Sequence, residues 1–213
     1  MLQYDPCKAA AHLAKLDRRL ARIIKQAGPC TIAPPRLQSP FELLSKAIVY
    51  QQLSRKAAAT IFSRVHALYP RSRVLKASAV IDTPDDVLRR CGMSAAKVAA
   101  IKDLAAKTLD GTVPNLAKLR RLSDQEIIDR LVSVRGIGIW TVEMLLIFQL
   151  GRPDVLPVGD LGVRKGFMLT YQREAMPSPK ELLTHGESWR PFRSVASWYL
   201  WRSLDLQNGQ KLL

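Results

Sequence analysis

Apolar residues recur at helical spacing along most of the chain, and the alternation that is typical of strands is weak throughout. Together with N-cap residues, this pattern predicts helices joined by short loops. The predicted helices cover 5–26, 41–52, 54 to about 69, a stretch starting at 84, 94 to about 110, 123–131, 139–150, 161 to about 171, a stretch starting at 178, and 191 to about 204.

The stretch LVSVRGIGIWT, residues 131–141, places a short glycine turn between two of these helices. Ser123, with Glu126 three residues on, predicts a capping box at the start of the first helix. Gly136 and Gly138 allow positive φ and leave no side chain between the backbone and a ligand. The N–H groups that open the second helix suit a phosphate oxygen. An ordinary helical hairpin would show the same pattern.

Charge favours the phosphate interpretation. The 33 Lys and Arg residues outnumber the 18 Asp and Glu residues, which gives a formal net charge of +15 and a pI of about 10.2. Such a chain is expected to attract a polyanion. The basic residues are spread through the predicted helices, which indicates a folded binding face rather than a basic tail.

Cysteine and histidine positions disfavour two kinds of metal centre. The three cysteines, Cys7, Cys30 and Cys91, are far apart and cannot supply the four ligands of an iron–sulfur cluster. The three histidines are scattered, which disfavours zinc. No stretch reads as a signal peptide or reaches membrane-spanning length. We therefore expect no membrane partner and a cytoplasmic protein, nucleoid-associated in a bacterium or nuclear in a eukaryote.

Four collinear stretches resemble the helix–hairpin–helix, Gly/Pro-Asp (HhH-GPD) superfamily of DNA glycosylases, within it the alkylation-repair branch of 3-methyladenine DNA glycosylase II. They are FELLSKAIVYQQLSRKAAATI, CGMSAAKVAAIKDLA, LVSVRGIGIWT with FQLGRPDVLPVGDLGVRKG, and WRPFRSVASWYLW. The resemblance implies an all-α fold of two helical lobes with the active-site cleft between them. The terminal lobe would comprise 1–40 and about 150–213. The central lobe would comprise about 41–149 and end in the helix–hairpin–helix of 122–150.

The resemblance implies that Asp160 is catalytic, near the sugar carbon of a flipped nucleotide. Breaking an N-glycosidic bond gives the sugar oxocarbenium character, which a fixed carboxylate stabilises. The same carboxylate would orient or deprotonate the attacking water. Asp160 could instead only cap the helix that begins at 161. Its neighbour Asp154 is better interpreted as part of a turn.

Trp140 stands where bifunctional relatives carry the lysine that forms a Schiff base, so the resemblance implies a monofunctional enzyme that leaves an abasic site. Trp140 and Trp201 would form walls that stack on positively charged alkylated purines. Core packing is the alternative for both. Met144 replaces a tyrosine of one relative and makes the pocket less aromatic there.

The resemblance also implies that Leu53 inserts into the duplex where the base leaves, the alternative being a core residue at a helix end. It implies a Na⁺ or K⁺ ion at the hairpin, held by the carbonyl groups of Val132, Val134 and Ile137. No other cofactor is required. The predicted DNA contacts are Gln52, Leu53, Ser54, Arg135, Gly136, Ile137, Gly138 and Thr141.

The resemblance therefore implies a monomeric DNA glycosylase that hydrolyses the bond to 3-methyladenine or 7-methylguanine type bases in duplex DNA and so initiates base excision repair. The alternative is a non-catalytic DNA-binding protein that uses the hairpin only for phosphate. Asp160 separates the two, because a pure binder gains nothing from a carboxylate beside a polyanion. A glycosylase for adenine or oxidised bases is disfavoured by the missing cluster cysteines and the missing hairpin lysine.

Overall fold

The structure, a computed structural model, describes residues 2–34, 39–207 and 209. Within this part the chain is helical and contains no strand, which confirms the predicted all-α class. None of the described helices is long and apolar enough to cross a membrane. The helices are α1 (Pro6–Leu16), α2 (Arg18–Ala27), α3 (Pro40–Tyr50), α4 (Arg55–Ala67), α5 (Ala77–Asp82), α6 (Asp85–Arg90), α7 (Ala95–Leu109), α8 (Leu116–Leu119), α9 (Asp124–Val132), α10 (Ile139–Phe148), α11 (Leu161–Thr170), α12 (Pro179–Gly186) and α13 (Arg193–Gln207).

The chain divides into two compact units. The terminal unit comprises Met1–Pro35 and Glu143–Leu213, and the central unit comprises Arg36–Val142. The boundary falls inside α10, so the first turn of this helix belongs to the central unit and the rest to the terminal unit.

The core of the central unit lies along α3 and α7. Leu44 and Ile48 of α3 and Ile101 and Leu104 of α7 are almost completely buried. Their spacing of three or four residues places each pair on one face of its helix, where it removes apolar surface from water. Helix α4 packs against α3, and α5 packs against α7.

The core of the terminal unit lies along α13, which packs against α1, α2 and α11. Tyr199 is completely buried in the middle of α13. Gly166 permits a close approach of α11, because a Cβ atom there would lie 2.0 Å from the carbonyl oxygen of Leu200. This contact brings the middle of α11 against the middle of α13.

The predicted single helix over 5–26 is wrong, because Asp17 separates α1 from α2. Asp17 has an extended backbone, and its Oδ1 accepts hydrogen bonds from the N–H groups of Arg19 (3.0 Å) and Leu20 (2.9 Å). Its Oδ2 accepts from Trp189 Nε1 at 3.1 Å and from the Tyr171 hydroxyl. Aspartate is a strong N-cap and a weak helix former, and distant partners decide the outcome here.

Two further differences concern short elements. The short helices α5 and α8 were not predicted, and the predicted start at 84 is shifted by one residue because Pro84 is the N-cap of α6. The starts at Ser54, Ser94 and Ser178 are confirmed, because each serine hydroxyl oxygen accepts an N-cap hydrogen bond from the backbone N–H three residues on.

Candidate active site and DNA interface

The predicted hairpin joins α9 to α10 through residues 133–138 in the central unit. Glu126 N donates to Ser123 Oγ at 3.2 Å, and Ser123 N donates to Glu126 Oε2 at 2.8 Å, which confirms the predicted capping box. Gly136 has a φ of +78°, a value that favours glycine. A Cβ atom there would lie 3.4 Å from the Ala100 side chain, so the turn lies close against α7.

Gly138 caps the start of α10 through its carbonyl oxygen, which accepts from the N–H groups of Thr141 (3.0 Å) and Val142 (3.3 Å). Unlike Gly136, it does not have a positive φ, and a Cβ atom there would meet nothing within 4 Å. Internal packing therefore does not require glycine at this exposed position. Its absent side chain leaves the backbone at the start of α10 accessible to a ligand.

The other predicted hairpin residues differ in exposure. Trp140 is 53% exposed, so it is not packed in the core. Arg135 is exposed as well, and its N–H donates to Asp103 Oδ2 of α7 at 2.7 Å. Thr141 is half-buried and Ile137 is buried, so Ile137 can offer a ligand only its backbone.

The turn of residues 51–54, between α3 and α4, is tied to the hairpin. Gln51 Nε2 donates to the carbonyl oxygen of Gly136 at 2.8 Å. Lys97 Nζ donates to the carbonyl oxygens of Val49 and Gln51, both at 2.8 Å, and so closes the C-terminus of α3. These bonds hold the turn and the hairpin together within the central unit.

Three consecutive residues of this turn are the other predicted DNA contacts. Gln52 is exposed and has a φ of +55°. Leu53 is 39% exposed, so it is not a core residue. Ser54 is exposed, and its Oγ accepts from Ala57 N at the start of α4. Leu53 is thus an apolar side chain at an exposed polar turn.

The backbone of the hairpin offers carbonyl oxygens to a cation. The Val134 oxygen accepts from Ile137 N at 3.0 Å. The oxygens of Val132 and Ile137 accept no hydrogen bond from any residue that the structure describes. Two of the three predicted ligands therefore keep both lone pairs available to a cation.

Asp160 is the N-cap of α11 in the terminal unit, and Val163 N donates to its Oδ1 at 2.7 Å. Trp201 Nε1 of α13 donates to the same Oδ1 at 2.9 Å. Only glycine fits at position 162, because a Cβ atom would lie 2.9 Å from Trp201 Cδ1 and 3.0 Å from Asp160 Oδ1. Asp160 therefore does cap the helix, and that bond and the indole together fix its orientation.

The C-terminal part of α10 meets the same group of side chains. The ring centroids of Phe148 and Trp201 lie 5.6 Å apart. Met144 is half-buried one turn before Phe148. Glu143, next to it, is a carboxyl for which burial, and then the negative charge of Asp160, raise the pKa to about 7.

Asp154, the neighbouring acidic residue, has a structural role. Arg193 Nε donates to its Oδ1 at 2.8 Å, and Arg190 forms a second ion pair with its Oδ2. Arg193 NH2 also donates to the Asp154 carbonyl oxygen at 2.9 Å. These contacts tie the segment before Asp160 to the start of α13, which is consistent with the predicted turn.

The predicted site residues thus fall into two sets. The terminal unit brings together Asp160 and Trp201, with Met144 on the adjoining part of α10. The central unit holds Trp140 and all the predicted DNA and ion contacts. Sequence reasoning missed Glu143, although it is the only ionisable residue in the apolar helix α10.

Comparison with known proteins places these features in a family. Residues 45–191 match the HhH-GPD superfamily of base excision DNA repair proteins. The chain is 38% identical over 207 residues to DNA-3-methyladenine glycosylase 1 of Schizosaccharomyces pombe, an alignment that covers 96% of this chain and 90% of the relative.

Two solved structures are similar along almost the whole chain. The 3-methyladenine DNA glycosylase Mag1 of Schizosaccharomyces pombe, in complex with abasic DNA, superposes with a TM-score of 0.77 at 38% identity, covering 91% of this chain and 95% of that one. A DNA-3-methyladenine glycosidase from Bacillus halodurans gives a TM-score of 0.85 at 32% identity, covering 99% and 94%.

Proposed function

The chain belongs to the HhH-GPD superfamily of base excision DNA repair proteins, and on that basis we propose that it is a monofunctional DNA glycosylase that removes alkylated bases from duplex DNA. The observation that carries the proposal is Asp160, whose Oδ1 accepts from Val163 N and Trp201 Nε1. Similar proteins over most of the chain are DNA-3-methyladenine glycosylases by name. The substrate class proposed is the 3-methyladenine and 7-methylguanine type.

A fixed carboxylate suits the chemistry of this reaction. When the N-glycosidic bond breaks, its electron pair leaves with the base and positive charge develops on the sugar. Asp160 stabilises that charge without reorganising, because the hydrogen bonds from Val163 N and Trp201 Nε1 already hold it in place. Water then attacks the sugar carbon, and an abasic site remains.

The side chain at position 140 decides how the reaction ends. Trp140 has no amine with which to form a Schiff base, so water is the nucleophile and the strand is not cut. An exposed indole can instead stack on a base, and stacking on a cationic alkylated purine adds a cation–π attraction. Met144 and Trp201 are the other proposed contacts of the base.

The central unit is proposed to bind the duplex. The open backbone at Gly138 suits a phosphate group, and the net charge of +15 favours association with DNA of any sequence. Leu53 would fill the gap left by the departing base, since an apolar side chain offsets lost stacking. An ion held by Val132, Val134 and Ile137 would add positive charge facing the phosphate.

The test uses duplex DNA that carries 3-methyladenine and 7-methylguanine. We expect the free bases in solution, and strands that stay intact until alkali is added. Borohydride should trap no covalent adduct with the protein, and such an adduct would contradict the monofunctional mechanism. Binding without release of any base would identify a non-catalytic DNA-binding protein. Sedimentation of the protein–DNA complex should show one protein molecule per duplex.

A further inference from the structure

A second carboxyl lies beside Asp160. Glu143 is half-buried on α10, and no residue that the structure describes forms a hydrogen bond or an ion pair with it. A half-buried carboxylate without a donor loses part of its solvation and gains no hydrogen bond in return, so its position calls for an explanation.

Glu143 shares a helix face with two of the proposed base contacts. Trp140, Glu143 and Met144 occupy positions i, i+3 and i+4 of α10 and therefore lie on one face of this helix. Phe148 of the same helix contacts Trp201 of α13, and Trp201 donates to Asp160 at the start of α11. The charge of Asp160 acts on Glu143.

The two carboxyls have opposite surroundings. Asp160 Oδ1 accepts two N–H hydrogen bonds, which suit a permanent negative charge. No residue in the described part of the chain donates to Glu143, and burial and a neighbouring negative charge both oppose its ionisation. Paired carboxyls in contrasting environments are a common way of dividing the roles of fixed charge and proton carrier.

We propose that Glu143 is the proton acceptor for the attacking water and that Asp160 serves as the fixed negative charge. This inference rests on the glycosylase function proposed above. The water oxygen forms the new bond to the sugar carbon, while the electron pair of the C–N bond leaves with the base. The water proton passes to the Glu143 carboxylate and then to solvent. A cationic methylated purine leaves as a neutral base, so no acid is needed for it.

The charges around Glu143 support this division. Helix α10 has no other ionisable side chain. Arg164 of α11 donates to the Pro177 carbonyl oxygen at 2.9 Å, and Arg202 of α13 pairs with Asp205 at 3.0 Å. Asp160 is the charge that acts on Glu143, and a pKa of about 7 is well matched to a base that works near neutral pH.

The experiment measures single-turnover excision of 7-methylguanine between pH 5 and 9, with DNA affinity and thermal midpoint recorded for each variant. We expect Glu143→Gln to slow excision by about 10²-fold, the usual range of a general base being about 10²–10⁴, with DNA affinity unchanged or tighter. The wild-type rate should rise with pH and level off above about 7, and this inflection should vanish in Glu143→Gln. Glu174→Gln removes an exposed carboxylate from the same unit and should behave as wild type.

A second variant covers the case in which the amide disturbs the fold. Glu143→Ala opens space for a small carboxylate, so added formate should restore part of its rate in proportion to formate concentration. Absence of rescue in a folded Glu143→Ala variant would overturn the proposal.

Two other outcomes would also overturn it: a full rate in Glu143→Gln, or a wild-type rate that falls as pH rises, which would indicate a protonated donor. If the wild type and Glu174→Gln release methylated bases in these cases, only the role of Glu143 fails. If the wild type releases none, the glycosylase function itself fails.

Discussion

Truncation of Leu53 should reduce the excision rate strongly and the stability only slightly, whereas truncation of a buried leucine should do the reverse. Truncation of a buried leucine to alanine costs about 2–5 kcal/mol of stability, because a cavity remains. Leu53 is 39% exposed and lies in a turn, so Leu53→Ala exposes little new surface and leaves no closed cavity. Full burial of a leucine side chain is worth about 1.5–3 kcal/mol, so we expect a loss of about 1 kcal/mol here.

The matched control is Leu44→Ala, which removes the same atoms from a leucine of α3 that is 1% exposed. For a chain of this size, about 1 kcal/mol lowers the thermal midpoint by about 2–4 °C. Leu53→Ala should therefore lower it by a few degrees and Leu44→Ala by at least twice as much. Calorimetry or circular dichroism measures both.

For the excision rate, the larger loss should be in Leu53→Ala and the smaller in Leu44→Ala. Opening a base pair costs a few kcal/mol, and each 1.36 kcal/mol changes a rate tenfold. If Leu53 stabilises the opened base pair, its truncation should therefore slow excision from paired DNA by about tenfold or more. A mismatched site is already partly open, so the rate of Leu53→Ala should recover there. Leu44→Ala, assayed while folded, should excise normally at both sites. A normal rate for Leu53→Ala on paired DNA, or a midpoint as low as that of Leu44→Ala, would refute the assignment.

Three further predictions concern other parts of the site. Trp201→Phe keeps a ring beside Phe148 but removes the hydrogen bond to Asp160. A hydrogen bond to a charged group is worth about 1.5–3 kcal/mol, so the excision rate should fall by about 10–100-fold while DNA affinity stays unchanged. Trp198→Phe is its control, and equal losses in both would contradict the role of the indole N–H. Gly138→Leu should weaken binding to undamaged DNA of any sequence while the thermal midpoint changes little, because no atom lies within 4 Å of the new Cβ; unchanged affinity in a filter-binding assay would argue against a phosphate contact there. For Glu143 the pKa in the fold, about 7, lies above the ordinary value of 4.5, so the carboxylate destabilises the fold once it ionises. Glu143→Gln should therefore leave the free energy of unfolding unchanged below pH 4.5 and raise it increasingly up to pH 7, above which the gain stays constant. The gain should be at most about 3 kcal/mol, and about 1–2 kcal/mol after allowance for solvent screening. Urea titrations measure it, and a gain that is independent of pH would contradict this prediction.

Local rules predicted the turns on which the central unit carries its proposed DNA contacts. The capping box of Ser123 and Glu126 and the tight turn at Gly136 depend on residues close together in sequence, and both are confirmed. The break at Asp17 could not be found in this way. Its partners Tyr171 and Trp189 are more than 150 residues away, and they help to hold an aspartate that local spacing would leave inside a helix.

The candidate reaction site also depends on contacts between residues that are distant in sequence. The hydrogen bond from Trp201 to Asp160 joins two helices, and Glu143 gains its significance only from the packing of α10 beside them. Sequence pointed to Asp160 and Trp201 through a family resemblance, with separate roles for a carboxylate and an aromatic wall. The direct bond between them depends on the close approach that glycine at position 162 allows.

Base release by the wild type and by Asp160→Asn, on the same methylated duplex, tests the central claim most directly. Chromatography of the soluble fraction identifies the bases, and a binding assay with the same duplex shows whether the variant still associates with DNA. We predict free 3-methyladenine and 7-methylguanine with the wild type, almost none with Asp160→Asn, and affinity for the duplex that is equal or higher in the variant, because a negative charge near phosphate has been removed. Equal release by both proteins would contradict the catalytic role of Asp160, and no release by either would contradict the glycosylase function.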